Sequence, residues 1–222
     1  AFGAAGLTAA GYSIYRTRTA PRFPLMPTRQ RMILNGLQSN GALTDRALTL
    51  RQLLIAGLRQ SPMLGVIPDE RLLAVLRRLN LPASLPVALT DLFVVAKQEK
   101  AAVVVDGSVE RVSRGLRVLL RVFEPGGVRP AFELDQAVND ERQLVKLAQD
   151  AAMELRTEFA ESQHSLQSSS VPLEQVTSAV PEAVDLYFRA VREYERSDTA
   201  AALAYLDQAL RLDRQFALAH HQ

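Results

Sequence analysis

The chain has no cysteine and no tryptophan, and only three histidines occur among its 222 residues. Without cysteine it can form no disulfide, no thiolate nucleophile and no cysteine-ligated metal site. Neither sign of charge dominates, because 26 basic and 24 acidic residues leave a net charge of +2. This small excess does not by itself indicate nucleic-acid binding. The hydrophobic fraction of 48% is enough for one or two domains with a real core.

Motifs for cofactor and metal binding are also missing. No glycine-rich stretch follows a strand and opens a helix, which phosphate binding would require. His220 and His221 are neighbours, and side chains one residue apart on a helix do not face the same ligand. We therefore expect no cofactor and no metal.

The first residues are uncharged. Residues 1–15 read AFGAAGLTAAGYSIY, and an arginine cluster follows within residues 16–22. Fifteen residues are fewer than the roughly 20 that cross a bilayer. We predict that they form part of a transmembrane helix with Tyr12 and Tyr15 at the interface; the alternatives are a cleaved signal region or a flexible arm. Residues 16–30 are rich in proline and arginine and predict an extended tether.

Residues 31–160 predict an α/β (α+β) sandwich with a mixed, mostly antiparallel sheet and helices packed against it. The order is strand, helix, strand, two helices, three strands in a meander, and a helix. The corresponding ranges are a strand from Met32, a helix at 44–60, a strand at 63–67, helices from 68 and at 86–98, strands at 101–112, 116–122 and 128–138, and a helix capped by Asn139 or Asp140.

Two groups of polar residues in this domain are candidates for a functional site. Asp106 directly follows an apolar run, but no partner acid or histidine stands at a useful spacing, so a turn or bulge role is favoured over catalysis. The arginines of the meander, such as Arg117 and Arg121, lack the interleaved aromatic residues of a nucleic-acid surface. We expect no nucleic-acid partner.

The end of the chain has a helical-hairpin pattern after a polar linker at 161–182. In residues 183–222, the small residues Ala190, Ala202 and Ala209 fall where two helices approach closely. This segment resembles one tetratricopeptide (TPR) repeat and the start of a second, an α-helical hairpin that cannot bury its apolar face alone. Either further repeats or another body must cover that face. The candidate partner-binding residues are Leu186, Tyr187, Tyr194 and Tyr205.

Residues 50–82, 101–128 and 171–190 together resemble the extracytoplasmic region of bacterial membrane-anchored Ser/Thr protein kinases and of winged-helix regulators with TPR tails. Their α/β part is similar to the amino-terminal domain of the Tol-system propeller protein. The resemblance implies a sensory or scaffolding segment in the periplasm. The chain departs from the repeat pattern at Ser197, where the hairpin usually has glycine, and at Arg214, where it usually has proline.

We therefore predict a non-catalytic, membrane-anchored interaction or scaffold module, an accessory or sensory segment of a single-pass membrane protein. Its α/β domain and hairpin would be periplasmic, and its partners would be proteins, including the subunits of a membrane assembly. The alternative is a ligand-sensing extracytoplasmic region of a Ser/Thr kinase or transcription regulator. A hydrolase or transferase has only Asp106 and scattered acidic residues in its favour.

Overall fold

The structure, a computed structural model, describes residues 23, 29–113, 115–140, 143–178, 180–195 and 197–216. The predicted transmembrane segment at 1–15 and nearly all of the tether at 16–30 lie outside these residues, as do His220 and His221. Within the described ranges, no helix has both the length and the apolar character needed to span a bilayer.

The predicted order of elements is confirmed. The α/β part contains β1 (Gln30–Leu34), β2 (Gln38–Ser39), α1 (Thr44–Arg59), β3 (Leu64–Val66), α2 (Asp69–Arg78), α3 (Leu89–Glu99), β4 (Val103–Val112), β5 (Gly115–Phe123), β6 (Phe132–Val138) and α4 (Leu144–Glu158). It is followed by α5 (Gln163–Ser169), α6 (Leu173–Val176), α7 (Pro181–Glu195) and α8 (Thr199–Leu212). The short strand β2 and a 3₁₀ turn at Gly41–Leu43 were not predicted.

The sheet is mixed, as predicted, with the strand order β3-β1-β4-β5-β6. β1 is parallel to both β3 and β4, and β2 pairs in parallel with β4. The longer ladders, β4–β5 and β5–β6, are antiparallel. The amino ends of β1, β3 and β4 therefore lie together, and we call this end of the sheet the amino end. The turn between β5 and β6 lies there too, because Phe123 pairs with Val104.

Helices cover both faces of the sheet, and strand periodicity assigns side chains to each core. On β1, Met32 and Leu34 point into the core that α1 and α4 cover, whereas Ile33 points into the core of α2 and α3. α1 crosses α4 closely at Gly57, where a Cβ atom would lie 2.7 Å from the Cβ of Ala152.

Three predicted boundaries were wrong. The helix expected from residue 86 begins at Leu89, because the backbone N–H and carbonyl of Val87 both bond to the Asn35 amide on the sheet. The helix expected to be capped by Asn139 or Asp140 begins at Leu144, after a turn in which the Asp140 carbonyl accepts from the N–H of Gln143.

The third wrong boundary is the start of the last strand. We expected this strand to begin at residue 128, but β6 begins at Phe132. Val128 instead stands on the turn between β5 and β6, where its side chain is 97% exposed. The turn includes Gly126 with a positive φ of 88°, a conformation that glycine adopts readily.

The polar run predicted as a linker contains α5 and α6. Glu161 is buried and forms an ion pair with Arg156, with N···O distances of 2.6 and 2.9 Å. The hydroxyls of Ser169 and Ser170 accept from the same guanidinium, and Ser61 donates to the carboxylate. The serines of the run thus satisfy a buried charge pair.

Candidate functional site

Helices α7 and α8 pack against each other and, through α7, against α1 of the α/β part. Ala190, Ala202 and Ala209 are all buried, as the spacing predicted. Val184 and Ala209 belong to the same continuous core as α1 and α4. One face of the hairpin is therefore covered by the α/β part of this chain, which was one of the two expected ways to cover it.

Charged side chains secure the contact between α7 and α1. The carboxylate of Asp185 accepts a hydrogen bond of 2.6 Å from the Thr49 hydroxyl and pairs with Arg46. Arg189 and Arg192 both pair with Asp45. Burial raises the pKa of Asp185, and the contacts from Thr49 and Arg46 only partly oppose that effect.

The four predicted partner-binding residues fall in different environments. Tyr187 is buried, with its ring centroid 5.1 Å from those of Phe188 and Phe216. Leu186 is half-buried against the main core, and Tyr205 is half-buried on α8. Tyr194 is 65% exposed. Of the four, Tyr194 is therefore the one most accessible to a partner.

Tyr194 lines an apolar groove of about 160 Å³ between α7 and α8. The remaining lining residues are Ala190, Val191, Thr199, Ala202, Leu203 and Leu206. Leu203, which also lines the groove, is 58% exposed. Leu203 was not singled out by sequence reasoning, although it lies four residues after Thr199 and three before Leu206 on one helix face.

A second candidate site is the polar cluster at the carboxyl ends of β1, β3 and β4, where open parallel sheets bind ligands. Asp106 lies within β4 rather than at a turn or bulge, which corrects the prediction. Its carboxylate accepts from the Asn35 amide at 2.9 Å and from Arg121 at 2.7 Å. Both amide hydrogens and the oxygen of Asn35 are used.

Arg51 completes this cluster. Its guanidinium is buried, donates to the carbonyls of Leu34 and Asn35 at 2.8 Å, and forms a bidentate pair with Asp69 at 2.6 and 2.7 Å. The polar atoms of Asn35 and Arg51 are thus occupied by protein groups. The cluster ties the loops after β1 and β3 to the sheet and leaves little donor or acceptor capacity for a substrate.

In the part of the chain that the structure describes, no group of three or more His, Cys, Asp or Glu side chains is placed to hold a metal ion. Arg117 and Arg121, the candidate nucleic-acid contacts, pair with Asp135 and Asp106 on the sheet.

No protein-family model and no curated protein matches the chain in sequence. Among solved structures, the C-terminal domain of LpoB from Salmonella enterica is 12% identical with a TM-score of 0.45, and the match covers 54% of this chain and 89% of that one. The same domain from Escherichia coli is 11% identical with a TM-score of 0.40, covering 51% and 84%.

The PelC dodecamer from Paraburkholderia phytofirmans is also similar, at 9% identity and a TM-score of 0.41, covering 66% of this chain and 94% of that one. Identities this low and TM-scores below 0.5 carry no conclusion about what this chain binds. The resemblance to the extracytoplasmic region of Ser/Thr kinases and TPR regulators receives no support from these comparisons.

Proposed function

We propose that the chain is a non-catalytic, membrane-tethered protein-interaction module of the bacterial periplasm, and that it captures a partner through the α7–α8 groove. The observation that carries the proposal is the groove itself, where Tyr194 and Leu203 expose large apolar surface beside the buried Ala190 and Ala202. A patch of adjoining exposed apolar side chains is typical of a site that a partner protein covers.

The occupant we propose is an amphipathic helix of another protein. The lining residues of α7 and α8 recur three or four positions apart, so two parallel ridges of side chains border the groove. Its volume of about 160 Å³ suits one or two apolar side chains of a docked helix. Ala190 and Ala202 are buried where α7 and α8 pack against each other, so the docked helix would contact the larger side chains that border the groove.

Residues 1–15 supply the membrane anchor in this proposal, as the uncharged stretch before an arginine cluster. The satisfied polar cluster around Asn35 and Arg51 supports a role without chemistry. The repeat-like hairpin then serves as the single recognition element beyond the α/β part.

Site-directed photo-crosslinking in the membranes of the producing cell tests the groove. A photo-reactive amino acid replaces Leu203 in the groove or, as the control, Val171, which is 44% exposed outside it. We expect a discrete adduct from position 203, which disappears when Tyr194→Arg is added, and none from position 171. Equal adducts from both positions, or none from position 203, would show that the groove captures no protein.

A further inference from the structure

The amino end of the sheet carries basic and apolar side chains that the proposed groove does not use. Lys97 and Lys100 border a shallow hollow between the end of α3 and the turn after β5, lined also by Phe93, Val94 and Pro125. Val94 is 46% exposed, and the fully exposed Val128 stands on the same turn. Neither lysine forms an ion pair with another described residue.

Further positive charge adjoins the hollow. Arg31 and Arg71 both bond to the single carboxylate of Glu99, at 2.6 Å each, so one of their two charges is not neutralised by that group. Burial would raise the pKa of Glu99, but the hydrogen bonds from Arg71 and Arg31 outweigh it and leave the pKa lowered, so the carboxylate stays ionised.

We call the set formed by Arg31, Arg71, Val94, Lys97, Lys100, Val128 and Arg129 the amino-end surface. One exposed acid, Glu124, lies on its turn. Positive charge around protruding apolar side chains is the composition that binds anionic lipid headgroups.

The first described residue of the chain, Phe23, lies at the amino end of the sheet. The N–H of Phe23 donates to the carbonyl of Glu158 at 3.0 Å, and its ring stacks on Phe159 with centroids 4.5 Å apart. α4 runs from the carboxyl end of the sheet, after β6, to the amino end, so Phe23 is fixed at the amino end.

Only residues 16–22 separate Phe23 from the hydrophobic stretch at 1–15. Fully extended, this connection spans at most roughly 30 Å, whereas a domain of this size is roughly 40 Å across. If residues 1–15 lie in the bilayer, this connection is too short to let Phe23 lie on the far side of the domain from the membrane. The opposite end of the domain therefore cannot be the end that faces the lipid.

We infer that the amino-end surface rests on an anionic lipid bilayer, with Lys97, Lys100 and Arg129 at the headgroups and Val128 inserted between them. The inference rests on the proposed membrane anchor at residues 1–15. Such contact orients the domain so that the α7–α8 groove points away from the membrane, since α7 pairs with Asp45 and Arg46 at the start of α1, near the carboxyl end of the sheet. Each basic side chain near an anionic membrane surface contributes about 1 kcal/mol of attraction. The two lysines together should therefore favour binding to an anionic bilayer over a neutral one by roughly 30-fold.

The three lysines of the chain provide a test without mutation. Lys97 and Lys100 lie on the amino-end surface, and Lys146 lies near the start of α4, at the other end of the sheet. The full chain is reconstituted into vesicles of phosphatidylcholine alone or mixed with phosphatidylglycerol, and acetylation of each lysine by a water-soluble reagent is followed by mass spectrometry. We expect acetylation of Lys97 and Lys100 to slow several-fold with phosphatidylglycerol, and that of Lys146 to stay constant. About 1 M salt, where the Debye length is about 3 Å, should remove the protection.

A second reporter uses the absence of tryptophan. In a Val128→Trp variant, the emission should shift to shorter wavelength on vesicles with phosphatidylglycerol, and in a Leu203→Trp control it should not. Adding Lys97→Gln and Lys100→Asn to Val128→Trp should abolish the shift while the chain still floats with the vesicles; asparagine suits the left-handed backbone at position 100.

Each outcome has one meaning. A chain that does not float with vesicles refutes the membrane anchor and the lipid contact together. A chain that floats but shows equal acetylation of all three lysines refutes the lipid contact alone. Protection of Lys97 and Lys100 by a polyglutamate peptide in neutral detergent, without protection in anionic vesicles, would replace the lipid with an acidic protein partner.

Discussion

At the scale of single residues, the Arg156–Glu161 pair is the contact whose loss should matter most. Its two side chains are 1% and 0% exposed. Because removal of one partner leaves a buried charge uncompensated, Glu161→Gln should lower the free energy of unfolding by about 3–5 kcal/mol. The measurement is urea denaturation at pH 7. The control is Asp135→Asn at the half-exposed Arg117–Asp135 pair, where the loss should stay below about 1 kcal/mol.

The pH dependence follows from the same carboxylate. Burial would raise the pKa of Glu161, but the hydrogen bonds from Arg156, Ser61 and Ser165 outweigh it and leave the pKa below its usual 4.5. A lowered pKa stabilises the fold above pH 4.5, and that contribution is lost as the pH falls through the folded value. The gap between the wild type and Glu161→Gln should therefore narrow below pH 4.5. A gap that stays constant down to pH 3 would contradict this role of the ionised group.

Asp185 should behave in the opposite way. Because burial raises its pKa above 3.8, its contribution to stability is complete below pH 3.8 and is lost as the pH rises through the folded value. Asp185→Asn removes the buried charge but keeps only one of the two acceptor oxygens that Thr49 and Arg46 use, so its melting temperature at pH 7 should stay close to that of the wild type. Asp185→Ala removes the acceptor and should melt lower. Equal losses in both variants would show that the charge itself is needed at the contact with α1.

These residue roles were not readable from the sequence. Asp69 has a sufficient explanation in its position in the first turn of a helix, yet it pairs with Arg51, 18 residues away. Asn35 meets Asp106 across 71 residues. The sequence does not indicate whether a polar side chain is buried or which distant residue it contacts. These groups come together only in the folded sheet.

At the scale of elements, the apolar periods were enough to place the strands and helices of the α/β part. Leu144, Leu147, Ala148 and Leu155 are all buried on one face of α4, as their spacing predicted. A predicted helix boundary was wrong where a residue distant in sequence bonds to the backbone. One example is the N–H of Val87, which donates to the side chain of Asn35. The run after Glu161 was predicted as a linker because its serines are polar, whereas those serines satisfy a buried ion pair.

The crossing of α1 and α4 depends on one glycine. In Gly57→Ala the new methyl group would lie 2.7 Å from the Cβ of Ala152, closer than two carbon atoms can approach. Although alanine favours a helix by about 1 kcal/mol, forcing the helices apart costs about 1–3 kcal/mol. We therefore expect a net loss of stability in urea denaturation.

Two further variants separate the clash from other effects of this substitution. Gly41→Ala, at a position with nothing within 4 Å of the new atom, should be close to neutral. Adding Ala152→Gly to Gly57→Ala should recover most of the loss, because it restores the space between the helices. If the double variant is less stable than Gly57→Ala alone, the two helices do not meet as described.

At the scale of the whole molecule, the hairpin and the α/β part share one core. Leu173 of α6, Val184 of α7 and Phe216 after α8 belong to the same buried cluster as Leu54 of α1. The sequence predicts a linker at 161–182, which would separate the α/β part from the hairpin. Continuous burial across the boundary favours one cooperative unit.

Tyrosine fluorescence can test this cooperativity, because the chain has no tryptophan and its described tyrosines, Tyr187, Tyr194 and Tyr205, all lie in the hairpin. With Tyr12 and Tyr15 changed to phenylalanine, the fluorescence reports the hairpin and the infrared signal of the β-sheet reports the α/β part. We expect both signals to change at the same urea concentration, because detaching α7 would expose Val184 and leave Asp185 without Thr49 and Arg46. If the hairpin signal is lost at a lower urea concentration than the sheet signal, the hairpin and the α/β part are two separate folding units. The groove would then lie on a unit that unfolds independently of the α/β part.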